Sequence, residues 1–171
     1  MKKENFKKES YLPKIYDKIY GKRALAKALE IADLASVALC ALLYAAGLWI
    51  SFGRGIGEGA ELLLTTAIPF ILVSAFRRIF NSPRPAEVLG LTDFPVKKKG
   101  RSFPSRHVFS AFCIGAALLP LYPAMGIAAL ILGAILSVLR VLLGVHFPRD
   151  VIAGAIIGVV SAVIGALIVN I

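Results

Sequence analysis

Only two imidazoles occur in the 171-residue chain, and each borders an apolar run. His107 follows Ser105 and Arg106 at the start of one run, and His146 stands just ahead of another, with Asp150 four positions later. A neutral histidine can attack phosphorus, and a second can protonate the leaving oxygen and later activate water. A carboxylate that accepts from the far ring nitrogen fixes the tautomer and steadies the cation that forms. The four-residue spacing predicts that a helical turn brings Asp150 onto the face of His146. Arg77, Arg84 and Arg140 accompany them, and planar guanidinium forks match phosphate oxygens two at a time. The segment Pro104, Ser105, Arg106, His107 adds backbone N–H groups at a helix start, with Ser105 as a natural N-cap, which is an anion-binding position. The chemistry these types suit is phosphoryl transfer.

The elements that must hold them are membrane helices. The chain is 58% hydrophobic with a mean hydropathy of +0.78, beyond the roughly 45–50% of a soluble domain counted with glycine. Five apolar stretches approach the roughly 17–25 residues of a spanning helix: 34–52, 62–80, 105–120, 124–145 and 148–171. Pro69 should kink the second, and Trp49 should anchor the first at an interface. The runs are continuous rather than alternating, so helices fit and barrel strands do not. The fold class expected is all-α: a polytopic membrane helical bundle of about five transmembrane helices plus an N-terminal amphipathic segment, forming one domain over 1–171. Residues 1–23 are lysine-rich and lack the pattern of a signal peptide. They read as an interfacial helix with Tyr11, Leu12, Ile15, Tyr16 and Tyr20 toward lipid, or as a solvated tail. Residues 81–104, rich in Pro, Gly and Lys, should form an irregular surface loop.

Topology gathers the reactive groups. The end of the second helix and the start of the third share one membrane face, and the junction of the fourth and fifth returns to it. The formal net charge of +10 then reads as basic loops against anionic headgroups. No nucleic-acid partner is expected, since no basic face interleaved with aromatics appears. The basic N-terminus and the 81–104 loop lie on one side, whereas 51–61 is nearly neutral, which places the site on the cytoplasmic side of the cell membrane. Cys40 and Cys113 sit singly in apolar runs and read as buried small hydrophobes. Gly154, Gly158 and Ala162 allow close helix approach, within the bundle or in a homodimer. Lys97, Lys98, Lys99 and Arg101 read as a headgroup-facing charge run. Asp33 and Glu61 read as interfacial.

These residues resemble the type-2 phosphatidic acid phosphatase family, whose three motifs are K-x6-R-P, P-S-G-H and S-R-x5-H-x3-D. This chain reads Arg77, six residues, Arg84-Pro85; then Pro104-Ser105-Arg106-His107; then Leu139-Arg140, five residues, His146, three residues, Asp150. The resemblance implies that His146 is the nucleophile, Asp150 its orienting partner and His107 the general acid. By the same likeness Arg77, Arg84, Arg140 and Ser105 hold the phosphate of a membrane lipid. It implies metal-independent hydrolysis with no cofactor, which agrees with the thin acidic inventory around the motifs. Three departures stand out. Arg77 replaces a lysine, Leu139 a serine and Arg106 a glycine. Arg106 either points to solvent or adds a fourth cation, and in the second case it favours a diphosphate. The alternative to a hydrolase of lipid phosphate or diphosphate is a membrane protein that binds or transports phosphorylated lipid without turnover.

Overall fold

The computed structural model describes residues 12–90 and 99–169. Expectations that fall on Tyr11 and the rest of 1–11, and on Lys97 and Lys98, lie outside them. Helices account for the described chain: α1 (Leu12–Tyr20), α2 (Arg23–Arg54), α3 (Ile56–Phe80), α4 (Pro85–Leu89), α5 (Arg106–Leu118), α6 (Pro123–Leu142) and α7 (Pro148–Val169). Four of them, α2, α3, α6 and α7, are long and apolar enough to cross a membrane. Large side chains such as Trp49, Ile56, Ile79 and Leu167 stand exposed on the outside of the bundle, the surface that lipid would cover. The chain is a multi-pass membrane protein.

The third apolar stretch departs from expectation. α5 has 13 residues, about 20 Å at 1.5 Å per residue, against a hydrocarbon core of about 30 Å. It packs in parallel with α7, and glycines set the separation. A Cβ on Gly154 would meet the Ser105 carbonyl oxygen at 2.7 Å, and one on Gly158 would meet that of Phe109 at 2.5 Å. The small-residue stripe is therefore used inside the bundle. Because Ser105 lies beside Gly154, six residues into α7, the start of α5 is sunk about 9 Å below the start of α7. Residues 99–105, a non-helical segment that turns through left-handed Gly100 and Arg101, fill that depth.

α3 runs through Pro69. Proline cannot donate to the carbonyl four residues back, and the freed Thr65 oxygen lies 4.0 Å from the Cys113 thiol of α5, which donates to it. The 81–104 region is not irregular throughout, because Arg84-Pro85 starts α4 with proline at its first position. Glu87 there accepts from the Arg84 N–H (3.3 Å) and from the Gly100 N–H (2.9 Å).

α1 corrects the lipid-facing expectation. Leu12, Tyr16 and Ile19 are buried, with Leu12 and Tyr16 packed against Leu89 and Phe147. The Tyr16 hydroxyl donates to the Val141 carbonyl (3.1 Å) and the Tyr20 hydroxyl to that of Leu143 (3.3 Å). The last carbonyls of a helix have no partner within it. α1 supplies partners at the end of α6, beside the chain that leads to His146.

Candidate active site

The turn between α6 and α7 sets His146. Both the Val145 and His146 N–H groups donate to the Arg140 carbonyl at 3.1 Å, and Gly144 takes a left-handed φ of 65° that lets the chain reverse. α7 then begins at Pro148 with Asp150 in its first turn, where a carboxylate is favoured by the helix dipole. His146 precedes the helix, so its spacing to Asp150 is not that of a regular helical turn. His146 is 1% exposed and Asp150 is fully buried. The Asp150 Oδ2 atom accepts from the Phe147 N–H at 3.0 Å and from the Ser102 hydroxyl at 2.5 Å. Between His146 Nδ1 and that same oxygen the distance is 3.8 Å, too long for a hydrogen bond. Ser102 Oγ stands 3.3 Å from Nδ1.

The residues 99–105 bind this pair to the arginines. Arg77 donates through Nη1 to the carbonyls of Pro104 and, at 3.2 Å, Ser102, and through Nη2 to that of Arg101. Arg84 donates to the carbonyls of Gly100 (3.0 Å) and Val145 (3.4 Å). Both arginines are buried, and the backbone carbonyls answer part of the cost of burying them. The Ser102 N–H donates to the Ser82 carbonyl (2.8 Å) and that of Ser105 to the Asp150 carbonyl (2.8 Å). Ser105 occupies the N-cap of α5, yet its hydroxyl makes no cap bond. That hydroxyl is buried with no partner among the described residues.

Arg77, Arg78, Arg84, Lys99, Arg101 and Arg106 line one cleft of about 530 Å³. Arg106 therefore adds a cation at the rim of the cleft, its guanidinium 5.4 Å over the Phe70 ring. Arg140 is placed differently. Its Nε lies 2.8 Å from Asp33 on α2, with both side chains largely buried, so Asp33 is an ion-pair partner inside the bundle rather than an interfacial residue. His107 lies within electrostatic reach of Arg140, Arg106, His146 and Arg77, and lines a smaller cleft with Cys40 and Leu136. Leu139, where the motif has serine, is buried. Burial lowers the His146 imidazole from the ordinary 6.5 to about 4; Arg84 and Arg77 push the same way and Asp150 opposes. At neutral pH the ring is uncharged, as a nucleophile needs to be.

Ser102 and Asp33 were not legible as site residues. Ser102 matches none of the three motifs, and its role arises only where 99–105 crosses α7. Asp33 offered one signal: an acid at the edge of an apolar run needs a partner. Among the described residues no cluster of three or more His, Cys, Asp or Glu groups is arranged to hold a metal ion.

A model of the PAP2 superfamily matches residues 58–170. The lipid A 1-phosphatase of Rhizobium etli is 30% identical over 105 residues, 58% of this chain and 45% of that protein. The bacitracin transport permease protein BcrC of Bacillus licheniformis is 41% identical over 61 residues, 36% of this chain and 30% of that one. The chain thus spans less than half the length of these curated relatives. Among solved structures, Aquifex aeolicus LpxE aligns with a TM-score of 0.59 at 25% identity, over 82% of this chain and 93% of its own. The PAP2 type phosphatidylglycerolphosphate phosphatase of Bacillus subtilis aligns at 0.56 and 20% identity, over 94% and 92%, a likeness of fold. With the three motifs converging on one end of such a bundle, the chain belongs to the PAP2 superfamily.

Proposed function

We propose that the protein hydrolyses a lipid phosphate or diphosphate through a phosphohistidine on His146, without a metal ion. The observation that carries this reading is the convergence of a buried, uncharged His146 with Asp150, Arg77 and Arg84 around residues 99–105. The phosphoryl group enters from the cationic cleft, its oxygens taken by Arg77 and Arg84, by the start of α5 and by the Ser105 hydroxyl. An unpaired buried hydroxyl costs about 1–3 kcal/mol, which a phosphate oxygen recovers. The His146 Nε2 atom forms the N–P bond while the P–O bond to the lipid breaks. The departing oxygen takes the electron pair and a proton from His107. Water, deprotonated by His107, then releases phosphate and frees His146. Arg140, held by Asp33, adds positive potential beside His107.

Polyprenyl diphosphate, phosphatidic acid and phosphatidylglycerol phosphate all offer such a group with the tail left in the bilayer. The relatives' names, a lipid A 1-phosphatase and a phosphatidylglycerolphosphate phosphatase, support the same class. The positive-inside rule supports a site on the cytoplasmic side of the cell membrane. With both native cysteines buried, labelling of a single Lys14→Cys variant from each side tests that orientation. Label entering only from outside would reverse it.

The name of one relative, a transport permease, favours a second reading, in which phosphorylated lipid is bound and moved without turnover. Phosphate release in detergent from the three lipids, with EDTA present, separates the two. The hydrolase releases phosphate unaffected by EDTA, and His146→Ala lowers the rate by about 10⁴-fold or more. Equal release by wild type and variant contradicts the mechanism. Lipid binding by wild type without any release favours the transporter.

A further inference from the structure

We infer that Ser102 is a positioning residue which fixes the tautomer of His146, by standing between the imidazole and Asp150. The inference rests on the reading of His146 as the nucleophile, but its geometry is independent of substrate. A hydroxyl has one proton to give and lone pairs to accept with. Asp150 Oδ2, 2.5 Å away, is a carboxylate oxygen and can only accept from it. The Ser102 oxygen must then meet His146 Nδ1, at 3.3 Å, as an acceptor. Nδ1 therefore carries the ring proton, and the lone pair is left on Nε2, the nitrogen that attacks.

Direct contact does not supply this control. His146 Nδ1 and Asp150 Oδ2 are 3.8 Å apart, and the carboxylate oxygen already receives the Phe147 N–H. Without the serine hydroxyl, the buried Nδ1–H would face no acceptor within hydrogen-bond distance. The opposite tautomer, with Nε2 protonated and inert as a nucleophile, would then compete. When the N–P bond forms, the ring becomes cationic and Nδ1 keeps its proton. The hydroxyl dipole passes the stabilisation of that charge on to Asp150, and no proton is transferred to the carboxylate.

Ser102 is also placed from outside the pair. Its N–H donates to the Ser82 carbonyl and its own carbonyl accepts from Arg77, with no part of the residue exposed. The arginine that would hold the phosphate thus fixes the main chain of the residue that orients the nucleophile. A purely structural serine here would affect stability alone. A positioning serine also affects which ring nitrogen is protonated.

Because the chain has two histidines, ¹⁵N-histidine NMR of the detergent-solubilised protein reads the tautomer directly. His107→Asn identifies which signals belong to His146. Wild type should show His146 protonated at Nδ1 with Nε2 bare. Ser102→Ala should shift it to a mixture of tautomers and lower kcat by about 10–100-fold with little change in KM. Ser102→Thr, which keeps a hydroxyl, should restore both to near wild type. A wild-type ring protonated at Nε2 overturns the inference, as does a Ser102→Ala protein with unchanged tautomer and kcat. If Ser102→Ala fails to fold, the wild-type tautomer decides alone. Undiminished phosphate release by His146→Ala would instead remove the nucleophile reading and leave the tautomer result standing.

Discussion

The two ends of the bundle are built from the same helices under different demands. At the end away from His146, α2 passes to α3 through Gly55 alone, and α5 to α6 through residues 119–122. A hydrogen bond of 2.9 Å between Ser51 and Tyr122, and the Arg54 guanidinium 5.0 Å over the Tyr122 ring, tie these turns together. The ion pair there, Arg54 with Glu58, is long at 4.0 Å and about half exposed. At the site end Arg77, Arg84 and Asp150 are buried, and the two arginines donate to the backbone carbonyls of Gly100, Arg101, Ser102, Pro104 and Val145. Arg78, Lys99, Arg101 and Arg106 stay exposed around the cleft. Short turns suffice where helices need only be joined. Where several cations stand beside a buried histidine, the fold adds a sunken helix start, the non-helical residues 99–105 and a further helix, α1, whose tyrosines donate to carbonyls at the end of α6.

The largest test of that contrast is Asp150→Asn, which removes the charge that would steady the cationic ring in the proposed mechanism. We expect kcat to fall by about 10²–10⁴-fold, with helical content by circular dichroism retained. A loss smaller than tenfold would mean that the buried carboxylate serves packing rather than chemistry. Next comes Asp33→Asn. Removing one partner of a buried ion pair costs about 3–5 kcal/mol because the other charge is left unpaired, so a marked drop in thermal midpoint is expected. Its counterpart at the other end, Glu58→Ala, should cost below about 0.5 kcal/mol and leave phosphate release unchanged. Similar effects of the two substitutions on the melting midpoint would erase the distinction between the ends.

Proton linkage sharpens the comparison further. In the proposed mechanism His146 attacks as the neutral ring, and burial lowers its pKa to about 4 from 6.5. The acid limb of kcat/KM should therefore lie well below the ordinary histidine value, with the nucleophile still active at pH 5.5. Since the unfolded chain takes up this proton first, the stability from this group is complete above pH 6.5. It is lost as the pH falls from about 6.5 to about 4. An acid limb near 6.5 would show a solvated ring.

A smaller effect is expected at Arg106, on the open rim of the cleft. Its replacement by glycine should lower preference for a diphosphate lipid over the matched monophosphate by about fivefold, as for an exposed charge. An unchanged preference in paired assays sinks that role.

Much of this site could be read from the chain because charge is rare in an apolar sequence. His107, His146, Asp150, Arg77 and Arg84 stand at helix ends where burial without purpose is costly, and their order placed them on one face. What escaped is what tertiary packing decides. Ser102 is an ordinary loop serine until residues 99–105 cross α7. The depth at which α5 sits depends on where Gly154 and Gly158 let it dock. The apolar face of α1 reads equally as lipid-facing, and its packing on Leu89 and Phe147, with the Tyr16 and Tyr20 hydroxyls donating to carbonyls at the end of α6, gives it a protein surface instead. Asp33 lies in α2, far along the chain from Arg140, and periodicity carries no information on that pairing.

The central claim is that phosphorus bonds to one named nitrogen. Single-turnover reaction with a ³²P-labelled lipid phosphate, stopped by alkaline denaturation in which phosphohistidine survives, tests it directly when followed by peptide mass spectrometry. The label should appear on His146, accumulate further in His107→Ala, where leaving-group and water activation are both impaired, and be absent from His146→Ala. Turnover without any label on residue 146, or label on another residue, would contradict the account.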